Sequence, residues 1–586
     1  MGRGRAAALT RLAGAGLILV AAGAAQAAQT LADQWAEYEA VKPKTILQLQ
    51  PFRQTTEATT ASGTPMRLIS INPTVNAWFV LELGAADAPD LKAYHIENPD
   101  PRHQTVALVP PATPGAAPTL ALDGPQGPMT CAPWDGAAPD LTAAAASGQP
   151  YAKLCGGRLL LRNEVKGAES TMEGVTDFLR SNIWGGDAIV NFVKNNFYQD
   201  AFAEKAKATA GGAVAVPDAG PTTAPTNPAL GAHPEISNRS DLTLTGTDGD
   251  KLALGQWYPV TGLDGVFASA ITPGALSPAI LNGPGKANPL DQTESQATDY
   301  LVAFDLGRFE VGYALGTDHP RLDWSPRPPD SMQNPALPGP DGIDNPAPLV
   351  RTGAVSPADA GRTIATFTGG FKREHGAFHR GPLSEVNAGS HYGFIENGAI
   401  FSKLWPGLST LYVLADGTIG MKTWTEADNA MLPQIRFARQ NGVPLVETDP
   451  ATGQPVPGQY VTQWSAGNWS GSAEAQLRTL RGGACMIETP TTRYLVYGYF
   501  STVTPSGMAR VFQAYGCKYA MILDMNALEH TYLALYVRQG GQMKVEHMVP
   551  GMALADRKVN GERMPRFLAV PDNRDFFYLM RKDPAP

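Results

Sequence analysis

Short apolar runs separated by turn-forming residues dominate the chain from about residue 240 to residue 580. Runs of this length bounded by glycine, proline, asparagine or aspartate are typical of β-strands. One such run, 519–523 (YAMIL), predicts a buried strand that ends at Asp524. Asn397-Gly398 and Asp416-Gly417 each lie between two apolar runs and predict tight hairpins, the first of type I′. We therefore predict a β-rich main domain over residues 240–580.

The residues ahead of this domain divide into three stretches of different character. Apolar runs alternate with proline-, glycine- and alanine-rich segments over residues 28–165, which predicts a small β-rich domain. Within residues 166–207, apolar side chains recur at three- and four-residue steps on both sides of Gly185-Gly186, the pattern of two amphipathic helices. Residues 208–239 are rich in proline, alanine and glycine and predict a linker. The predicted fold class is α+β, with mostly β structure.

The first 27 residues have the pattern of a cleavable signal peptide. Three arginines and no acid precede an apolar run at 12–23, and Ala25 and Ala27 supply the small residues that a signal peptidase reads. The alternative is an uncleaved anchor. No later run reaches 18 uninterrupted apolar residues, so we expect no membrane span after cleavage and a periplasmic or secreted protein.

Composition limits the classes of partner that the protein can bind and the number of units into which it folds. The 586 residues exceed what one core organises, so two or three units are expected. The net charge of −8 is spread over mixed acids and bases without a basic run, which argues against nucleic acid as a partner. The 61 glycines and 50 prolines favour a loop-rich β protein over a helical bundle.

The four cysteines form two local pairs along the chain, Cys131 with Cys155 and Cys485 with Cys517. In an oxidising compartment this grouping favours two disulfides. Four buried free thiols are the alternative, because sequence alone does not determine connectivity. None of the cysteines has zinc-site spacing, so we predict no metal and no cofactor.

A double glycine, Gly369-Gly370, ends a strand-like run and precedes a charged stretch that includes Glu374 and His375. Glycine permits positive φ and a close backbone approach to a ligand, so the turn and these two side chains are candidates for a binding pocket. A plain tight turn with solvated charges is the alternative reading.

Two arginines, Arg478 and Arg481, lie beside a glycine pair at the start of another strand. A guanidinium group binds phosphate or carboxylate through paired hydrogen bonds, which makes Arg478 a candidate for an anionic group. We expect the Arg481 side chain to lie at the protein surface.

The segment that carries Asp524 begins with a predicted helix over 508–515, with Pro505 near its start and Gly516 after its end. An acid at the C-terminal end of a buried strand is held rigidly at a pocket rim, which suits catalysis. Asn526 and His530 follow within a few residues and are secondary candidates. The competing reading of Asp524 is a structural cap of the next turn.

These segments together resemble the phosphodiester glycosidase domain family over about residues 260–560. The family pattern is a strand with NGGFF, a hairpin, an RTxxG strand, a strand pair, a helix and an LDGGGS segment. Here TGGF at 368–371, Arg478-Thr479 with Gly482, the helix and Leu523-Asp524 occur in the same order. The segment after Asp524 departs from the pattern, with MNA where the family has glycines and Leu528 in place of the serine.

The resemblance implies an exported glycosidase that hydrolyses the bond between an anomeric carbon and a phosphate on a glycan or sugar-phosphate substrate. In that reading Arg478 binds the phosphate, Asp524 is the base or nucleophile, and Gly369-Gly370 forms the pocket wall. The missing glycines predict a blocked backbone approach at the site. They favour the alternative of a non-catalytic glycan-binding protein of the cell envelope on the same fold. Candidates for stacking on sugar rings are then Trp464, Trp469, Tyr494, Tyr497 and Tyr499, although we expect most of them in the core or on a strand face.

Overall fold

A computed structural model of the chain describes residues 36, 45–86, 88–111, 116–135, 140–169, 200–203, 224–318, 343, 345–372, 393–462, 476–559 and 561–582. The predicted signal peptide, the two predicted helices apart from residues 200–203, Glu374 and His375 lie outside these residues. The described chain is mostly β-strand with short helices, which confirms the predicted α+β class. No helix in the described ranges is long and apolar enough to cross a membrane.

The N-terminal unit is built from nine strands. They are β1 (Gln54–Thr59), β2 (Pro65–Ser70), β3 (Trp78–Leu83), β4 (Lys92–Glu97), β5 (Thr105–Val109), β6 (Thr119–Asp123), β7 (Met129–Cys131), β8 (Tyr151–Leu154) and β9 (Leu159–Arg162), with helix α1 (Asp140–Ala145) and a 3-10 turn (Cys155–Gly157). Six strands form one sheet in the order β1-β2-β3-β4-β9-β8, and β5-β6-β7 form a second.

The N-terminal unit packs on the rest of the chain through one face of its larger sheet. Along β3, Trp78 and Val80 join the core of the main unit, whereas Phe79 and Leu81 join a separate core inside the N-terminal unit. This alternation follows from the two-residue period of a strand. Strand β3, in the interior of this sheet, is therefore buried on both faces.

The remaining strands build the main unit. They are β10 (Glu235–Ser237), β11 (Lys251–Ala253), β12 (Tyr258–Pro259), β13 (Val266–Ile271), β14 (Asp299–Asp305), β15 (Phe309–Ala314), β16 (Thr363–Thr368), β17 (Phe394–Glu396), β18 (Ala399–Ser402), β19 (Ser409–Leu414), β20 (Ile419–Thr423), β21 (Ile435–Gln440), β22 (Pro444–Thr448), β23 (Pro455–Pro457), β24 (Thr479–Glu488), β25 (Arg493–Val503), β26 (Tyr519–Met525), β27 (Leu533–Gln539), β28 (Gln542–His547), β29 (Arg557–Val559), β30 (Glu562–Met564) and β31 (Phe576–Arg581). Its α-helices are α2 (Pro278–Leu281), α3 (Gln292–Ser295), α4 (Pro357–Ala360) and α5 (Pro505–Ala514), and its 3-10 helices are Pro273–Ala275, Glu426–Gln434 and Pro550–Ala555.

Three large antiparallel sheets share the main core. Their orders are β12-β13-β14-β25-β24-β26-β22-β23, β15-β31-β16-β27-β28 and β18-β17-β21-β19-β20. The eight-stranded sheet has β24 and β26 near its centre, and both strands are almost entirely buried. The strand that carries Asp524 is therefore held from both sides.

Local sequence signals account for several boundaries. Asn397 and Gly398 have φ of 47° and 81°, which confirms the predicted hairpin between β17 and β18. Helix α5 begins three residues earlier than predicted, at Pro505, because the Thr504 hydroxyl caps it by accepting the Gly507 N–H at 3.2 Å. Both predicted disulfides, Cys131–Cys155 and Cys485–Cys517, are confirmed.

The predicted linker over residues 208–239 differs from the structure at its C-terminal end. Residues 224–239 are described and packed, and Glu235–Ser237 forms a strand that pairs with Lys251–Ala253. The cause is Ile236, which is 2% exposed and belongs to the main core. Residues 204–223 lie outside the described part of the chain.

Candidate active site

Asp524 lies near the end of β26 and is 4% exposed. Its Oδ1 accepts the Met525 N–H at 2.8 Å, and its Oδ2 accepts a bond from Arg574 Nη1 at 2.6 Å. Burial raises the pKa of the Asp524 carboxyl to about 6, although the Arg574 charge and the Met525 N–H both favour the ionised form. A carboxyl with this pKa gains or loses a proton close to neutral pH, which suits an acid–base role.

Arg574 joins Asp524 to His530. Its Nη2 donates to His530 Nε2 at 2.9 Å, and His530 Nδ1 is 2.9 Å from the Met525 carbonyl oxygen. A guanidinium group has no acceptor, so Nε2 must accept and Nδ1 must carry the proton that is donated to Met525. Glu529 Oε1 is farther from Nε2, at 3.5 Å. The network therefore holds His530 as the neutral Nδ1–H tautomer.

The Gly369-Gly370 turn lies close to buried side chains of the protein itself. A Cβ on Gly369 would be 2.4 Å from Asp575 Oδ2. Gly370 has a φ of 147°, and a Cβ there would be 2.8 Å from both Arg439 Cζ and Asn441 Oδ1. The close approach predicted for this turn exists, but its partners are these three side chains.

Arg439 and Asn441 connect the turn to the strand of Asp524. Arg439 is fully buried; it donates to Asp575 Oδ2 at 2.8 Å, to Asn441 Oδ1 at 2.6 Å and to the Phe371 carbonyl oxygen at 2.6 Å. Asn441 Nδ2 donates to the carbonyl oxygens of Ile522 and Leu523, at 2.7 and 2.8 Å. One amide side chain thus bonds both the glycine turn and the residues just before Asp524.

Arg478 is not bonded to Asp524. Its Nε and Nη2 donate to the two carboxylate oxygens of Asp200 at 3.1 and 2.9 Å, and its Nη1 donates to Asp291. Asp200 also accepts a hydrogen bond from the Thr502 hydroxyl. Arg478 therefore fastens the described turn at 200–203 and the loop before α3 to the start of β24.

Asn526 keeps a backbone shape that glycine would adopt. Its φ is 78°, in the left-handed region that asparagine tolerates better than most residues. Its N–H donates to the Leu480 carbonyl oxygen at 2.8 Å, and its Oδ1 accepts the Thr479 hydroxyl at 3.0 Å. Two hydrogen bonds thus hold an asparagine in a left-handed conformation that a glycine would also adopt.

The expectation that Arg481 lies at the surface is wrong. The side chain is fully buried, because every position of β24 from Thr479 to Ile487 is covered. Arg481 donates to the Val503 and Leu477 carbonyl oxygens at 3.0 and 2.9 Å, and burial lowers its pKa to about 9. Backbone oxygens therefore take the hydrogen bonds that solvent would take at a surface position.

Three of the candidate sugar-stacking residues are core residues, as expected for most of that group, and Trp464 and Trp469 lie outside the described residues. Tyr494, Tyr497 and Tyr499 are each 1% exposed and pack in the main core.

Sequence analysis did not identify four of the residues around Asp524, which are Arg439, Asn441, Arg574 and Asp575. The available signal was the run DNRD at 572–575, which places four polar residues directly before an apolar strand. Within the described ranges, no group of three or more histidine, cysteine, aspartate or glutamate side chains is arranged to hold a metal ion.

No protein-family model matches the chain, and no curated protein matches it. Among solved structures, the chain is similar to a hypothetical protein from Synechocystis, at 9% identity over 91% of this chain and 100% of that one, with a TM-score of 0.26. It is also similar to a "putative exported protein" from Burkholderia pseudomallei, at 12% identity over 48% of this chain and 74% of that one, with a TM-score of 0.19. Similarities at these TM-scores carry no argument about fold or function.

Proposed function

We propose that this chain is an exported glycosidase that hydrolyses the bond between a sugar anomeric carbon and a phosphate on envelope or extracellular glycans. The observation that carries the proposal is the buried Asp524 carboxyl, whose pKa is raised to about 6 and which lies against the Arg574 guanidinium. The two disulfides support the exported location, since such bonds persist in oxidising compartments.

The reaction needs little acid assistance because phosphate is a good leaving group. It needs a carboxylate at the anomeric centre and a cation for the phosphate. Asp524 takes a proton from the attacking water, or attacks the anomeric carbon itself, while the carbon–oxygen bond to phosphate breaks. The electron pair of that bond leaves with the phosphate.

We assign the phosphate-facing cation to Arg574 in place of Arg478. Arg478 already donates to two carboxylates, and an anionic ligand would have to displace at least one of them. Arg574 donates to the Asp524 carboxylate at 2.6 Å, so its positive charge lies directly beside the proposed reacting group. His530 and Asn526 then act as positioning residues, the first on Arg574 and the second on the turn after Asp524.

The second candidate is a non-catalytic glycan-binding protein on the same fold. The observation that favours it is the state of Asp524, which is 4% exposed and already accepts a hydrogen bond on each oxygen. In that reading the Asp524–Arg574 pair is structural.

Hydrolysis of a panel of sugar-1-phosphodiesters by the disulfide-intact chain distinguishes the two candidates. In the enzyme, Asp524→Asn lowers kcat/KM by about 100-fold or more, the typical contribution of an acid–base group. Arg574→Lys keeps the charge but loses the paired geometry and lowers kcat/KM less. Asp264→Asn is the matched control, because the Asp264 side chain is 79% exposed. Glycan binding without hydrolysis supports the second candidate, and the absence of both contradicts the two proposals together.

A further inference from the structure

A histidine of the N-terminal unit holds a backbone segment of the main unit. His95, on β4, is 1% exposed, and its Nδ1 accepts the Val350 N–H at 2.8 Å. Arg162 lies directly opposite His95 on β9 and donates to the Val350 carbonyl oxygen through Nε and Nη2, at 3.3 and 3.2 Å. Both backbone polar groups of Val350 are therefore bonded by the same pair of side chains.

Tyr151, on β8, extends this contact along the main unit. Its hydroxyl lies 2.7 Å from the Thr352 hydroxyl and donates to the Ala354 carbonyl oxygen at 3.0 Å. Three side chains of the N-terminal unit thus hold residues 350–354, which we call the clamped segment.

The clamped segment leads to the candidate active site. The Gly353 carbonyl oxygen accepts the Asp572 N–H at 2.9 Å, and the two backbones approach so closely that a Cβ on Gly353 would clash with Asp572. Asp572 Oδ1 in turn accepts the Arg574 N–H at 3.0 Å. Because Arg574 donates to Asp524, a displacement of the clamped segment would move the cation of the site.

Only a neutral His95 ring can make the bond to Val350. A ring nitrogen that accepts an N–H carries no proton, so the proton of the neutral ring is on Nε2. Among the described residues Nε2 has no hydrogen-bond partner, and the ring packs edge-to-face on Trp78 at 4.4 Å. Protonation would turn Nδ1 into a donor, which would break the bond to Val350 and place a second positive charge beside Arg162.

The charged surroundings of His95 also favour its neutral form. The charged or titratable side chains on the elements around this contact are those of Glu97, Tyr151, Arg162, Arg351 and Glu396. Both glutamates accept hydrogen bonds from Arg162, so their negative charges are paired with that guanidinium group. Burial first, and the Arg162 charge second, lower the pKa of His95 well below its usual 6.5.

We propose that His95 is a pH-sensitive clamp, which in mild acid releases residues 350–354 and with them the backbone that positions Arg574. When the segment is released, His95 ionises at its usual pKa near 6.5, whereas in the clamped form it stays neutral. The clamped form therefore has its full stability above about pH 6.5, and the ratio of clamped to released molecules falls by up to about tenfold for each pH unit below that value. The inference does not rest on the proposed function.

Hydrogen exchange of the full disulfide-intact chain without substrate, followed by mass spectrometry from pH 7 to pH 5, tests the proposal. The measured quantity is the protection factor, which is the exchange rate of an unprotected amide at that pH divided by the observed rate. Between pH 6 and pH 5 we expect the protection factor to fall about eightfold in peptides covering residues 349–354 and 571–575, as a pKa of 6.5 in the released form requires. Peptides from β24, near the centre of the eight-stranded sheet, should keep their protection.

Two histidine variants assign the effect to one ring. His95→Asn offers an oxygen to the Val350 N–H and does not titrate, so its protection should not change between pH 6 and pH 5. His103→Asn is the matched control, since the His103 side chain is 66% exposed, and it should keep the eightfold fall. Protonation of Asp524 does not produce such a fall, because its raised pKa stabilises the folded protein as the pH drops.

Three results would overturn the proposal. They are unchanged protection of residues 349–354 in acid, a fall of the same size in the β24 peptides, which would mean that the whole fold opens, and the same fall in His95→Asn. If His95→Asn does not fold, the first two comparisons on the native chain still decide. A fall in residues 349–354 without one in residues 571–575 would contradict the link to Arg574. Since no substrate is present, a failure of the clamp and a failure of the glycosidase proposal are separately visible.

Discussion

The pH dependence of stability should change when Asp524 is replaced by asparagine. Burial raises the pKa of this carboxyl from 3.8 to about 6, so the folded protein holds the proton more tightly than the unfolded chain does. The stabilising contribution of the proton is complete below pH 3.8 and is lost as the pH rises through about 6. A shift of this size corresponds to about 3 kcal/mol, because each pKa unit is worth about 1.4 kcal/mol.

Asparagine does not titrate, and its loss of charge beside Arg574 changes stability by an amount that does not depend on the Asp524 proton. The free energy of unfolding of the native chain minus that of Asp524→Asn should therefore fall by about 2 kcal/mol as the pH rises from 4 to 7, because the unfolded carboxyl is already partly ionised at pH 4. Urea unfolding at 25 °C, followed by tryptophan fluorescence with the disulfides intact, measures this difference at each pH. Asp264→Asn, at an exposed position, should show no comparable trend.

A difference that stays constant with pH, or that rises, would refute the reasoning. It would mean that the Arg574 charge outweighs burial and that the pKa of Asp524 is not raised. If the carboxylate is also the catalytic base, kcat/KM should rise with pH through about 6, because only the ionised form accepts a proton.

Three further substitutions probe the packing around Asp524 and the buried ion pairs where the two units meet. Gly370→Ala places a Cβ 2.8 Å from the Arg439 guanidinium and should lower the free energy of unfolding by about 1–3 kcal/mol, measured against Gly417→Ala, where positive φ occurs without a close contact. Arg162→Gln leaves two buried glutamates without their cation and should cost about 3–5 kcal/mol in urea unfolding. Asn526→Ala should cost about 1 kcal/mol more than Asn526→Gly in thermal unfolding, since φ is 78° there; equal costs would contradict the left-handed turn.

The parts of the fold that local sequence predicts are those with local causes. The strand that ends at Asp524 follows from an apolar run, and the hairpin at Asn397-Gly398 follows from two residues that accept positive φ. Helix α5 follows from a capping threonine and a proline at its start. In each case a few consecutive residues determine the conformation, so neighbours in the sequence carry the signal.

The partners of Asp524 were not predictable in this way, because long-range strand pairing supplies them. Arg574 and Asp575 lie just before β31, which pairs with β15 and β16 more than 200 residues earlier in the chain. Arg439 and Asn441 come from the end of β21 and the residue after it, in a third sheet. The resemblance of Arg478-Thr479 to the RTxxG pattern points to Arg478, whereas the sheet order brings Arg574 to the carboxylate.

The N-terminal unit illustrates a second limit of the pattern. A strand with one solvated face alternates apolar and polar residues, but β3 reads WFVLEL because its two faces enter two different cores. An apolar run of this kind predicts a buried strand without saying what covers it. The contact of the two units depends on that second covered face.

One strand of the main unit connects the buried Arg162–Glu396 ion pair to the region of Asp524. Tyr313, on β15, donates its hydroxyl to Asp575 at 3.0 Å, and the N–H of Leu315, two residues on, donates to Glu396 at 3.0 Å. Asp575 accepts a hydrogen bond from Arg439 beside the glycine turn, and Glu396 accepts one from Arg162, which comes from the N-terminal unit. Both buried arginine clusters therefore depend on the position of the same short backbone segment. A shift of that segment would lengthen the Tyr313–Asp575 and Leu315–Glu396 hydrogen bonds together, and hydrogen bonds weaken as they lengthen beyond their 3.0 Å.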